Sequence, residues 1–415
     1  MTTPRSRWWL AGLKRAGLAL SILIILLISV LLVKTVLLPT PPVGDVVTAE
    51  QQSLDGAAAR RLSTAVTFQT VSSREAGVHD PATFTAFHEF LEDSLPRVHE
   101  TLARRKIAQF SLLYKWPGRD TTLKPVLVMA HQDVVPATDS QSWTQPPFSG
   151  VIEDGYVWGR GTMDDKSALM GCLEAAEQLI ASGFQPARTV YFAFGHDEEI
   201  GGPGALAMAE HLTLRDIRFA FVLDEGGFIA HELLPDIEAP IALIGIAEKG
   251  YLTIELTVEQ GGGHSSRPPA ATAIGIVSRA VVKLEHSPFP SRLDGATREM
   301  FERLAPHMPF TQRLLIANQW LLAPLMLRML ENDVTMAALV RTTTAPTVFE
   351  AGGRETMLAR QARAVVNLRI LPGETVESAL NRVREVVDDS RIEVRIVTAR
   401  FADFPRGLPQ RDRGI

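Results

Sequence analysis

Val126-Leu127-Val128-Met129-Ala130-His131-Gln132-Asp133-Val134-Val135-Pro136 is an apolar run that delivers a histidine and an aspartate two residues apart. A short apolar run bounded by turn residues reads as a buried strand, and open α/β sheets collect ligands at strand ends. The H-x-D spacing suits a metal-binding histidine whose tautomer is fixed by the carboxylate behind it. A satisfied histidine near a turn has the same local pattern, so this stretch alone leaves both readings open.

The pattern recurs outward along the chain. Trp158-Gly159-Arg160-Gly161-Thr162-Met163-Asp164-Asp165-Lys166 sets two glycines before paired aspartates at the start of a helix expected over 166–182. Aspartates there can be ordinary caps, or one of them can bridge two cations through its two oxygens. Phe194-Gly195-His196-Asp197-Glu198-Glu199 follows an apolar run at 189–194, and Asp224-Glu225-Gly226-Gly227 follows another at 219–223. Adjacent acids cannot share one strand face, so one can hold a metal while its neighbour stays free as a general base. Several strand ends carrying nitrogen or oxygen ligands favour a metal site over solvated loops.

Apolar runs alternating with helical patterns over 110–223 predict a layered α/β domain. In the helix at 166–182, Leu169, Cys172, Ala176 and Leu179 share one face, and Gly183 is a C-terminal cap. From Ile246 the order strand (251–259), helix (270–285), strand (364–370), helix (375–388), strand (392–397) predicts a smaller α+β unit. An apolar region over 312–339, broken by Pro324, lies inside it and suits either a pocket lining or core packing. The expected divisions are a basic segment 1–15, a transmembrane anchor 16–33, a linker 34–47, a catalytic domain 48–245, an α+β domain 246–400 and a tail 401–415.

Composition narrows the function. The 415 residues hold 42 Lys+Arg against 47 Asp+Glu, a formal charge of −5, which offers no basic stripe for nucleic acid. The single cysteine, Cys172, excludes an intramolecular disulfide and a thiolate zinc site. The uncharged run 16–33 approaches the roughly 20 residues that cross a bilayer. Arg5, Arg7, Lys14 and Arg15 precede it, only Lys34 closely follows, and no small-residue cleavage pattern ends it. The positive-inside rule then predicts a single-pass anchor with the catalytic body on the periplasmic or extracellular side.

Together, His131-x-Asp133-Val-Val-Pro, Gly159-Arg-Gly-Thr-x-Asp164-Asp, Gly195-His-Asp-Glu198-Glu199 and Gly263-His-Ser-Ser-x-Pro-Pro resemble the zinc metallopeptidase family of aminoacylase, glutamate carboxypeptidase and carnosinase. The nearest branch is carboxypeptidase S with its N-fatty-acyl amino acid hydrolases, and the likeness runs over 58–397. The resemblance implies two zinc ions, with His131 and Asp224 on one, Glu199 on the other and Asp164 bridging; Glu225 is the reserve for Asp224. It implies Glu198 as general base, Asp133 behind His131, His264 as oxyanion stabiliser and Arg369 as the partner of a substrate carboxylate. It makes the 246–400 unit a lid and dimerisation domain, so a homodimer is expected, and the substrate a small peptide or N-acyl amino acid.

Two departures accompany the likeness. The family's second zinc takes a final histidine from the C-terminal return of the catalytic domain, whereas the last histidine here is His307. The catalytic domain is accordingly expected to be C-terminally incomplete. Thr356 stands where the family usually carries an asparagine. The rival expectation is therefore a catalytically impaired relative that only binds metal or ligand, or dimerises.

Overall fold

The structure, a computed structural model, describes residues 4–39, 56–72, 80–138, 142–231, 237 and 240–400. Part of the expected linker (40–47) and the tail 401–415 lie outside the described residues. Contacts divide the chain into two compact units, Asp45–Gly226 and Met1–Gly44 with Gly227–Ile415. The division precedes Ile246 because the strands Phe228–Ala230 and Ile241–Leu243 pair with each other, and Ile237 and Ile241 pack with Phe301, Ile316 and Met326.

The first unit is built on a five-stranded mixed sheet. Its strands are β1 (Ala103–Ile107), β2 (Ser111–Trp116), β3 (Val126–His131), β4 (Val190–Gly195) and β5 (Val222–Leu223), in the order β1-β2-β4-β3-β5. β1 and β2 form an antiparallel hairpin, β2 runs antiparallel to β4, and β4, β3 and β5 are mutually parallel. The register pairs His131 with Gly195 and Val128 with Leu223, so the parallel strands end at one edge of the sheet. Phe87, Leu91, Tyr114, Phe192, Phe194, Leu169 and Leu173 are among the residues of the core beneath them.

Three local features differ from the sequence expectation. The helix begins at Ser167 and runs to Ala181, preceded by an irregular turn over Thr162–Lys166 in which Asp164 is extended (φ −123°, ψ 93°). Its buried face is also rotated: Leu169, Met170, Leu173, Ala176 and two glutamates are buried, Cys172 is half-buried and Leu179 is exposed. The glutamates explain the rotation. Glu174 pairs with Arg61, and Glu177 accepts from the backbone N–H groups of Arg97 (3.3 Å) and Val98 (2.8 Å) at the start of the Pro96–Thr101 helix. Buried carboxylates bonded in this way sit on a face that binary patterning assigns to solvent. The 219–223 run is a strand only at Val222–Leu223.

The second unit carries a four-stranded antiparallel sheet of β6 (Gly250–Glu259), β7 (Thr343–Ala351), β8 (Gln361–Ile370) and β9 (Glu393–Arg400), ordered β7-β8-β6-β9. Leu252, Ile254, Leu256 and Val258 alternate onto its buried face, where they meet the helices Ala273–His286 and Val376–Val387. The second helix starts with a capping box between Thr375 and Ser378. Edge strand β7 carries Pro346 at an irregularity in its register, the kind of position where a sheet tolerates proline. That proline is why the strand is hard to read from sequence.

The apolar 312–339 region is three helices, Phe310–Ala317, Gln319–Glu331 and Val334–Val340. Its first break falls at Asn318 and not at Pro324, which sits inside the second helix. Pro324 removes a bond to the carbonyl of Trp320, and both residues lie on the exposed side of that helix. Asn318 is buried and non-helical (φ −122°, ψ 33°), and its side-chain amide donates to the Leu314 carbonyl (2.9 Å).

The N-terminal segment is one helix over Pro4–Val36, and its stretch Lys14–Val36 contains an 18-residue window with a mean hydropathy of 3.0. It is one helix long and apolar enough to cross a membrane. Leu18, Leu23, Ile25 and Val33 are among its exposed side chains.

Candidate metal centre

The site forms where β3, β4 and β5 end. β3 closes on His131, which is 2% exposed, and the chain continues through Gln132 and Asp133, each wholly buried. Gln132 is tied into the core by donating to the carbonyls of Phe110 (2.9 Å) and Phe194 (2.8 Å) and accepting from His88 (2.7 Å). His131 is thereby fixed at the sheet edge.

Asp133 is the pivot of the arrangement. One carboxylate oxygen lies 3.3 Å from His131 Nδ1 and accepts from the Glu198 backbone N–H (3.1 Å). The other accepts from the Glu199 N–H (3.2 Å) and from the Ser72 hydroxyl. His131 Nδ1 also lies 2.9 Å from the Asp133 backbone carbonyl, so one buried residue orients the histidine ring through carbonyl and carboxylate, and its carboxylate anchors the turn that follows β4. Burial pushes the Asp133 carboxyl up, but hydrogen bonds from His131 and Ser72 outweigh it and hold the group below its ordinary value.

On its outer side, His131 Nε2 faces Asp164 Oδ1 at 2.9 Å and Glu225 Oε2 at 3.3 Å. His131, Asp164 and Glu225 each offer one ligand atom, all within 4.8 Å of one another. Gly161, with φ +82°, makes the turn that brings Asp164 round; a Cβ there would stand 2.4 Å from Val134 Cγ1. Asp165, the second acid of the pair, is buried and accepts from the His131 backbone N–H (3.2 Å). After β4, the Asp197 carboxylate accepts from the Gly204 N–H (2.9 Å), holding the next helix against the turn.

Burial sets the electrostatics, and crowding of carboxylates adds to it. Burial, together with hydrogen bonding and repulsion from Glu225, pushes Asp165 up to about 8. Burial likewise raises Glu198, Glu199 and Asp224, with Asp164 adding to the rise of Glu199. Glu225 moves the other way, lowered by its hydrogen bond to His131. Burial pulls His131 down, yet hydrogen bonds to Asp133 and Glu225 overcome this and push it up to about 12. Imidazole nitrogen and carboxylate oxygen are the donors zinc takes in catalytic sites. A cluster whose acids resist collective ionisation is also one that a bound cation relieves, so the residues present fit a divalent metal.

Of the residues singled out in sequence, the structure gathers His131, Asp133, Asp164, Glu198, Glu199, Asp224 and Glu225 at this edge. Glu225, the reserve, joins His131 and Asp164 in the triad; Asp224 accepts from the Glu225 N–H at 3.0 Å. Ser72 carries no local signal of its role, because it stands 61 residues from Asp133 in sequence. His264 and Arg369 belong to the second unit. His264 is exposed, its Nδ1 is 2.9 Å from Ser266 Oγ, and its strand pairs with Met357–Leu358. Arg369 on β8 lies over the Tyr251 ring at 4.7 Å.

A histidine and carboxylates gathered at the ends of parallel strands define the class as a metallohydrolase-like α/β protein. The chain belongs to peptidase family M20/M25/M40, whose profile matches residues 127–372. It is 43% identical over 341 residues to a probable carboxypeptidase S-like 2 of Dictyostelium discoideum, covering 81% of this chain and 66% of that protein. It is 37% identical over 407 residues to the N-fatty-acyl-amino acid synthase/hydrolase PM20D1 of Xenopus tropicalis, covering 95% and 78%. The crystal structure of an M20 family metallo-carboxypeptidase from Sulfolobus solfataricus shares the fold (TM-score 0.52, 18% identity, 81% of this chain and 77% of that one). The chain thus spans about two thirds to three quarters of these relatives' lengths.

Proposed function

We propose that the chain is a zinc-dependent hydrolase of amide bonds adjacent to a free carboxylate, acting on N-acyl amino acids or small peptides. The observation that carries the reading is Asp133, one buried residue whose carbonyl and carboxylate both face His131 Nδ1 while the carboxylate positions the backbone of Glu198 and Glu199. Likeness to carboxypeptidase S-like and N-fatty-acyl-amino acid synthase/hydrolase proteins supports the substrate class.

His131, Asp164, Glu199 and Asp224, with Glu225 beside it, are the side chains that would hold two zinc ions. Zinc bound there supplies Lewis acidity, lowering the pKa of a water and polarising the scissile carbonyl. Glu198, its carboxyl raised by burial, takes the proton from the attacking water and returns it to the leaving amine. To His264 we assign stabilisation of the oxyanion, and to Arg369 the substrate carboxylate. In this reading the second unit serves as lid and dimerisation domain. The Lys14–Val36 helix anchors the chain, with the catalytic body on the periplasmic or extracellular side.

The test uses the full chain in detergent, loaded with zinc and offered acetyl- and long-chain-acyl amino acids. Release of the free amino acid that vanishes on chelation and on Glu198→Gln, while the variant still binds zinc, is expected. Zinc-loaded wild type inert on N-acyl amino acids and dipeptides alike would overturn the proposal.

A further inference from the structure

The Gln319–Glu331 helix is turned inside out by the standards of a soluble surface. Trp320 (59% exposed), Leu321, Pro324, Leu325 (51%) and Met329 lie on its exposed side, recurring at spacings that put them on one face. No charged residue interrupts 319–327; Arg328 and Glu331, exposed on the same side, close the stripe at its C-terminal end. Single exposed apolar side chains are ordinary, but a contiguous stripe marks something that covers it.

What covers it is indicated by the neighbour of its first turn. Asn318, wholly buried, donates to the Leu31 carbonyl (3.1 Å) and to Thr35 Oγ1 (3.2 Å), and Thr35 is itself wholly buried. Lys34 Nζ stands 5.8 Å from the centre of the Trp320 ring. These contacts grip the last turn of the Lys14–Val36 helix, where a spanning segment leaves the hydrocarbon. Tryptophan and lysine are residues that settle at this depth. The apolar surface of the anchor is therefore continuous with that of the Gln319–Glu331 helix.

We propose that Gln319–Glu331 is an interfacial helix, its Trp320–Leu325–Met329 face sunk into the outer leaflet of the bilayer that Lys14–Val36 crosses, with Asn318 as the lock between the two. The inference rests on the anchored reading above. It seats the second unit on the membrane surface. Such helices bury their apolar face about 5–10 Å into the boundary between headgroups and acyl chains.

The test places the full-length protein in phosphatidylcholine vesicles, with Cys172→Ala as background and a single cysteine carrying an environment-sensitive fluorophore. Leu325→Cys and Met329→Cys report the stripe, Leu23→Cys the span, and Leu214→Cys, 85% exposed in the first unit, the aqueous reference. Expected at 325 and 329 are a blue-shifted emission and loss of fluorescence to lipids bearing a nitroxide at shallow depth, with quenching at Leu23 strongest from a mid-bilayer nitroxide. If Leu23 is quenched by deep lipid while 325 and 329 behave like 214, the interfacial helix is refuted and the anchor stands. An unquenched Leu23 refutes both. Labels at 325 shielded from water but insensitive to any lipid nitroxide would assign the stripe to a second copy of the chain and refute the proposal.

Discussion

Replacing Asp133 with asparagine keeps the shape of the side chain and removes what the site needs from it. In the native chain the carboxylate accepts from two backbone N–H groups and the Ser72 hydroxyl and faces His131. An asparagine retains one acceptor oxygen and turns the other position into a donor. If its NH2 takes the place of Oδ2, it points at the Glu199 N–H; if it takes the place of Oδ1, it points at the Glu198 N–H. Either way a charge-assisted bond, worth about 1.5–3 kcal/mol, is lost and a buried donor is left facing a donor. Ser72 can rotate to accept and recovers part of the loss. A destabilisation of roughly 3 kcal/mol follows, or about 6–12 °C in the melting of the first unit. The assay is thermal unfolding of the metal-free full chain, followed by zinc titration of both proteins. Loss of the group behind a ligating histidine predicts about 10–100-fold weaker metal binding. A variant that melts with the wild type and binds zinc equally well would refute the role given to Asp133.

Glu198→Gln is expected to lower turnover by about 10²–10⁴-fold with zinc content unchanged, measured by amino acid release and elemental analysis. Gly161→Ala should unfold the Thr162–Lys166 turn. The strain at φ +82° plus a 2.4 Å contact to Val134 costs roughly 1–3 kcal/mol or more, read as a lower melting temperature and a weaker metal site. For His88, burial lowers the ring pKa to about 4 against an ordinary 6.5, and its Nδ1 is buried without an acceptor. The unfolded chain then takes the proton first, so this stability is full above pH 6.5 and is lost as pH falls towards 4. His88→Gln should flatten the dependence of melting temperature on pH in that window; parallel curves for the two proteins would refute it.

The secondary structure was largely legible because its signals are local. β3 ends at His131 because an apolar run is followed by polar residues and Pro136, and the Thr375 cap starts its helix where the pattern placed it. Reading failed where a partner distant in sequence changed what a residue wants. Glu174 and Glu177 are buried only because Arg61 and the Pro96–Thr101 helix meet them, and no periodicity within their own helix reveals that. Pro324 looked like a breaker, yet the break belongs to Asn318, whose buried amide answers carbonyls on two helices.

For the site, sequence by itself determined the donor types and their delivery at strand ends: His131, the 164–165 and 198–199 acid pairs, and the 224–225 pair. Adjacent residues share an environment only until the chain folds, so which acid of a pair turns towards His131 is a question of backbone direction. The tertiary structure decided it, turning Asp164 outward on an extended residue after Gly161 and bringing Glu225 within 3.3 Å of Nε2. It also supplied Ser72 and made Asp133 a shared anchor, because hydrogen bonds spanning more than sixty residues exist only once strands pair in register.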